Sequence, residues 1–290
     1  ASRSGARVLV GSGTFSNGTA YVFVDDGTGW VQESVVSAGA AQSAYGSAVV
    51  LAGTTAIVGA PYDIVLTVRK GAAHVFERSG TAWSYQARLV ADDGHFEDAF
   101  GSAVALHGDT AVVGSNLDDG PAGIETGSAY VCVRTGTSWA RQTKFVPTDV
   151  SEKAQFGTAV AVFGDVAAVG APHDDAPSPS SPSGGSVYVY RRSGTVWTQE
   201  QKLVRTGSKP FDQLGTSLAL EGDTLVAGSP GSDVAGSDAG SVCVFTWDGA
   251  NWNQTAELAA AGAGTADYLG FAVDLRGDTV LAGAPFSDAA

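Results

Sequence analysis

The chain has 290 residues, 44% of them hydrophobic and 16% charged, and carries a net charge of −14. That length supports a sizeable buried core, and the acidic balance disfavours nucleic acid and anionic membrane as partners. No run of 18 apolar residues occurs, so neither a membrane-spanning helix nor membrane insertion is expected. The sequence holds no methionine and no signal peptide, as expected of a processed or excerpted polypeptide.

Arg7-Val8-Leu9-Val10 reads as the second strand of a unit, and residues 7–37 supply three strands of a partial unit. Full units follow at 45–94, 99–152, 155–210 and 213–264, and 268–290 gives two strands of a last partial unit. In the unit 99–152, Ala99-Phe100-Gly101-Ser102-Ala103-Val104-Ala105-Leu106 is a short strand of small and apolar residues, turned back by His107-Gly108-Asp109. Thr110-Ala111-Val112-Val113-Gly114 is a continuous apolar strand, the pattern of burial on both faces. A polar loop leads to Gly127–Val133, which alternates with period two, and Thr135-Gly136-Thr137 turns the chain into a last strand opened by Trp139. No segment sustains a 3.6-residue period with caps, so almost no helix is expected.

The unit recurs with little variation. A Gly follows a large residue at Tyr45-Gly46, Phe100-Gly101, Phe156-Gly157, Leu214-Gly215 and Leu269-Gly270, at spacings of 55, 56, 58 and 55 residues. A second Gly closes the apolar strand at Gly11, Gly59, Gly114, Gly170, Gly228 and Gly283, and Trp30, Trp83, Trp139, Trp197 and Trp252 mark the last strands. A fixed period of this length means one supersecondary unit, stacked. Four short antiparallel strands, small in the first and bulky in the last, make a wedge, and wedges about an axis make an all-β propeller. The chain holds about five blades' worth of strands. They close a ring of their own, or they belong to a larger ring that another protein or a further segment of the same protein completes.

The strings Phe100-Gly101-Ser102-Ala103-Val104-Ala105 and Val113-Gly114, with Val169-Gly170-Ala171-Pro172, Ile57-Val58-Gly59-Ala60-Pro61 and Ala282-Gly283-Ala284-Pro285, resemble the FG-GAP repeat of integrin α-subunit propellers and their bacterial and algal relatives. The resemblance spans nearly the whole chain. It implies a propeller, usually seven-bladed, in an extracellular or surface protein serving cell adhesion or protein–protein interaction. A seven-bladed ring would need about 390 residues at this period. Integrin-type repeats often carry a DxDxDG calcium loop between the first two strands. Here that connection is only a tight turn such as His107-Gly108-Asp109 or Glu221-Gly222-Asp223, too poor in oxygens for calcium.

Carboxylates gather instead in the loops after the second strand: Asp118 and Asp119, His173 with Asp174 and Asp175, and Asp233 with Asp238. They are the candidate metal ligands, with Ca²⁺ the candidate ion; the competing reading is that Asp favours turns by bonding its own backbone. The second unit breaks the pattern with an apolar loop, Ile64-Val65-Leu66-Thr67-Val68, which either folds over its own blade or contacts another protein. Asn17 and Asn253 head glycosylation-type triplets. Arg276-Gly277-Asp278 spells an adhesion tripeptide at what reads as a structural turn. Cys132 and Cys243 fall in aromatic slots of non-adjacent units and are expected to be buried free thiols. None of His74, His95, His107 and His173 stands beside a positioned nucleophile, and no catalytic or cofactor-binding residue is assigned. The reading is a non-enzymatic binding or structural module. Its rivals are a lectin-like glycan binder using Tyr62, Phe286, Phe15 or Phe96, and an accessory domain of a secreted hydrolase.

Overall fold

The computed structural model describes residues 1–13, 18–39, 44–176 and 181–287. The chain divides into two compact units, one comprising Ala1–Asp118 with Ser128–Phe145, the other Asp119–Gly127 with Val146–Ala290. No helix occurs among the described residues.

The first unit holds three four-stranded antiparallel sheets. They comprise β1 (Ser2–Ser4), β2 (Arg7–Ser12), β3 (Thr19–Asp25) and β4 (Trp30–Val36); β5 (Val49–Ala52), β6 (Thr55–Ala60), β9 (Ala72–Ser79) and β10 (Ala82–Leu89); and β11 (Phe100–His107), β12 (Thr110–Ser115), β13 (Ser128–Thr135) and β14 (Ser138–Phe145). A small extra hairpin, β7 (Ile64–Val65) and β8 (Val68–Arg69), stands in the loop between β6 and β9. The second unit holds two four-stranded sheets and one two-stranded sheet. These are β15 (Ala159–Phe163), β16 (Val166–Ala171), β17 (Ser186–Ser193) and β18 (Val196–Leu203); β19 (Leu218–Glu221), β20 (Thr224–Ser229), β21 (Ser241–Trp247) and β22 (Trp252–Leu258); and β23 (Ala272–Arg276) with β24 (Thr279–Gly283). The first sheet has four strands where the sequence suggested three, because Ser2–Ser4 pairs with Arg7–Leu9. Three polar residues carry no alternation to announce a strand.

The second strands β6, β12 and β16 are buried along their whole length, as their unbroken apolar runs require. The repeating glycines explain how sheets approach one another. The N–H of Gly46, Gly157, Gly215 and Gly270 donates to the carbonyl of Gly59, Gly170, Gly228 and Gly283 in the same blade at 2.9–3.0 Å. Each of those donors has φ near +90°, a conformation that suits glycine. The Gly closing a second strand also meets the next blade. A Cβ on Gly170 would lie 2.0 Å from the carbonyl oxygen of Gly215, and one on Gly228 would lie 1.8 Å from that of Gly270.

At the other end of each blade a β-bulge between the third and fourth strands leaves one residue unpaired: Glu33, Gln86 and Glu200 in three of the sheets. The bulge turns that side chain towards the following sheet, where it accepts the indole N–H of Trp83 (3.2 Å), Trp139 (2.8 Å) and Trp252 (3.1 Å) respectively. The recurrent tryptophan is thus a staple between successive blades as well as a bulky end to a wedge.

Candidate functional site

The loops after the second strand and the loops leading to the next blade are stitched together. Phe100 N–H donates to Lys70, Phe156 to Thr126, Leu214 to Gly184 and Leu269 to Ala239, all through backbone carbonyls. Within each unit both loop classes therefore share one face, as the propeller reading expects.

On that face the β7–β8 hairpin replaces a polar loop. It turns through Leu66 and Thr67, with Leu66 at φ 59°, a costly conformation for a branched side chain. Val65 is turned inward and buried, whereas Ile64 is 60% and Leu66 91% exposed and Val68 is exposed as well. The hairpin is held from beneath. Asp63 is buried and accepts from His74 Nε2 at 3.0 Å and Arg88 at 2.7 Å, and Arg88 also donates to the Ile64 carbonyl at 2.7 Å. Burial works to raise the Asp63 pKa, but the His74 hydrogen bond and the Arg88 charge outweigh it, so the carboxyl is held below its ordinary value. On its flank Arg69 pairs with Glu97 and lies over the rings of Tyr62 and Phe96, with centroids 5.5 and 5.3 Å away. Exposed Phe96 extends the apolar surface. The loop folds onto its blade and still presents an apolar tip.

The carboxylates named from the sequence fall into two groups. Asp118 and Asp174, four residues beyond the closing Gly, point into their blades. Asp118 meets Lys144 Nζ at 2.7 Å and Ser128 Oγ at 2.5 Å. Asp174 meets Lys202 Nζ at 2.8 Å and Ser186 Oγ at 2.6 Å, and takes the Ser151 N–H at 3.0 Å. Burial raises the pKa of Asp174, yet the hydrogen bonds from Lys202, Ser186 and Ser151 leave it lowered overall. Asp119, Asp175 and Asp233, one residue on, close their own loops by accepting the N–H of Glu125 (2.9 Å), Ser183 (3.0 Å) and Asp238 (3.1 Å). Ile64 stands at this position in the second blade, which is where an apolar tip replaces a loop-closing carboxylate. Asp212 and Asp267 likewise cap their turns through the N–H of Lys209 (2.6 Å) and Gly264 (2.7 Å). Among the described residues no three His, Cys, Asp or Glu side chains are grouped to hold a metal. Asp238 contributes its N–H to Asp233, and burial lowers the pKa of His173.

The buried ion pair is the feature that sequence reasoning missed. Asp63–Arg88, Asp118–Lys144 and Asp174–Lys202 occupy equivalent places in three blades. In the fifth blade, β19–β22, Ser232, Cys243 and Glu257 stand where the previous blade has Asp174, Tyr188 and Lys202. Arg205 supplies the positive charge there, 3.2 Å from Glu257 and 3.5 Å from Asp212. The signal lies in the sequence: the loop Asp and the strand Lys or Arg occur together and vanish together.

A cleft of about 630 Å³ opens in the second unit, with Tyr268, Phe271 and Phe286 on its walls beside Gln213 and Thr216. Tyr268 and Phe286 meet edge to face at 5.7 Å. Cys132 and Cys243 are free and buried, and burial pushes both thiols up to about 12. Asn253 is exposed, its side-chain amide donating to Asp248 at 2.8 Å. Asn17 and Phe15 lie outside the described residues. Gly277 sits in the turn between β23 and β24 at φ 59°, the conformation that its tripeptide serves.

Sheets of four antiparallel strands, repeated at one period and stapled through Gly–Gly and Trp contacts, define an all-β propeller. The chain belongs to the FG-GAP repeat family, whose model matches residues 83–132, 139–190, 197–245 and 252–290. Each match starts on the Trp of one blade, and the first three end within the third strand of the next, so the sequence repeat is offset from the structural blade. No curated protein matches the chain.

Proposed function

We propose that this chain is a non-enzymatic docking module of an extracellular or surface assembly, and that it binds another protein through the β7–β8 hairpin. The observation that carries the reading is the hairpin tip: Leu66 is 91% exposed on a strained turn that buried Asp63, Arg88 and Arg69 hold in place. Ile64, Val68 and Phe96 are exposed along with Leu66, and an apolar cluster of this kind is what marks protein contacts, where a lone exposed side chain would not. A preformed hairpin loses little conformational freedom on binding, so its apolar contact goes into affinity. The family supports an adhesion or protein–protein role for the blades as a whole.

The test is a photo-crosslinking residue at position 66, used in an extract of the source cells. The expectation is one dominant crosslinked protein, competed away by unaltered chain but not by the Ile64→Ser/Leu66→Ser variant. Equal competition by the variant, or no product that unaltered chain competes, removes the reading.

The cleft favours a second reading, a glycan seated against Tyr268, Phe271 and Phe286 with Gln213 and Thr216 as polar partners. Aromatic faces beside a few polar groups suit a sugar ring. A glycan array on which unaltered chain and Phe286→Ala behave alike dismisses it.

A further inference from the structure

Main-chain carbonyls on both strands of the β7–β8 hairpin are already engaged. That of Ile64 accepts from Arg88 at 2.7 Å, and that of Arg69 accepts the Glu97 N–H at 2.7 Å. Strand addition is thereby disfavoured, and contact falls to the side chains. Ile64 and Arg69 pair across the hairpin, so their side chains leave the same face. Arg69 lies over the rings of Tyr62 and Phe96. The exposed surface is therefore a finger, Leu66, beside a shelf of Ile64 and Phe96.

This surface is electrically quiet on a strongly acidic molecule. None of residues 64–68, 95 and 96 is Lys, Arg, Asp or Glu, although the chain as a whole carries −14. Carboxylates of the flanking loop are neutralised within the chain: Glu97 by Arg69, Asp92 by Arg141, and Asp93 by Arg141 and Lys144. A basic partner would find no free carboxylate here to pair with, whereas a second acidic copy meets no like charge at the contact itself. A finger beside a shelf is also self-complementary, because a two-fold axis sets each finger on the other chain's shelf. Leu66, Ile64, Phe96 and Val68 together expose on the order of 500 Å² on one chain, so a two-fold contact covers on the order of 1,000 Å², the size at which specific interfaces begin.

We propose that the occupant of the hairpin surface is a second copy of this chain, in an isologous contact where Leu66 of one protomer packs against Ile64 and Phe96 of its partner. This rests on the hairpin being a docking surface, and it names what docks there.

The test is sedimentation equilibrium of the purified chain over a concentration series, at low and at high salt. The expected result is a reversible monomer–dimer equilibrium that tightens as salt screens the repulsion between two acidic chains. Leu66→Asp should weaken it at least about tenfold, the loss of one buried leucine. Asp tolerates the left-handed turn, so that variant keeps the fold. Leu281→Asp, in the other compact unit, should leave the equilibrium unchanged. A photo-crosslinking residue at position 66 of the purified chain should join residues 64–68 or 95–97 of a second copy. A monomer at every concentration, a dimer indifferent to Leu66→Asp, a dimer that loosens as salt rises, or a crosslink elsewhere overturns the inference. If the chain is monomeric and position 66 still captures a different protein from a cell extract, the second copy is excluded and the docking surface stands; if both fail, both fall.

Discussion

Lys202→Met separates an internal ion pair from an ornament of the loop face. Asp174 has a side chain 2% exposed and Lys202 one that is 23% exposed, with Nζ 2.8 Å from the carboxylate. Removing one member of a buried pair typically costs about 3–5 kcal/mol, because the other charge is left without compensation. Here Ser186 and Ser151 still donate to Asp174, and Lys202 is partly wet, so the expected loss is about 2–3 kcal/mol. For a protein of this size each kcal/mol moves Tm by about 2–4 °C, giving a fall of roughly 4–12 °C at pH 7. The pH dependence identifies the cause. The Asp174 pKa is lowered in the folded protein, so its stabilisation is present above the unfolded carboxyl pKa and lost as pH falls through the folded one. In the variant, burial acts on Asp174 without the Lys202 charge, and protonation relieves the penalty. The gap in Tm should therefore be widest near pH 7 and narrow below about pH 4, leaving the small pH-independent part from the Lys202–Asp149 carbonyl hydrogen bond. Asp174→Asn added to Lys202→Met should recover most of the loss. A thermal melt series in which the gap is under about 1 kcal/mol, or flat with pH, refutes the reasoning.

Gly228→Ala should destabilise the chain by more than about 3 kcal/mol in urea melts, since its Cβ would sit 1.8 Å from the Gly270 carbonyl oxygen. Gly222→Ala, in a turn with open space around it, should cost only the roughly 1–2 kcal/mol of a left-handed conformation; equal costs would show that the blades do not meet at that glycine. Leu66→Ser should leave Tm unchanged while weakening partner binding about 10- to 100-fold, the equivalent of losing one buried leucine. Cys132 and Cys243, with thiols raised to about 12, should resist a thiol reagent at pH 8 in the native chain and react together once urea unfolds it.

The glycines, tryptophans and apolar second strands made the blade legible because backbone crowding and burial tolerate few residues there. Gly59, Gly170 and Gly228 each lie against a neighbouring carbonyl, so the period shows in the letters themselves. The ion pairs were not legible in the same way. Lys144 and Lys202 occupy alternating positions on strands with many polar residues, where period two alone reads them as solvated. Only the loop Asp that accompanies each of them reveals a partner. Likewise Glu33, Gln86 and Glu200 look like surface residues until the bulge turns them onto the next Trp. The apolar string at 64–68 is plain in the sequence, but the choice between its two readings depends on the fold: Val65 packs inward and Leu66 stands out.

The most direct measurement is a hydrogen-exchange footprint of the chain bound to the protein captured through position 66. The account expects slowed exchange at residues 64–69 and 95–97, with the second strands β6, β12 and β16 equally protected bound or free. Protection confined to other loops, with the hairpin exchanging as fast as in the free chain, would contradict it.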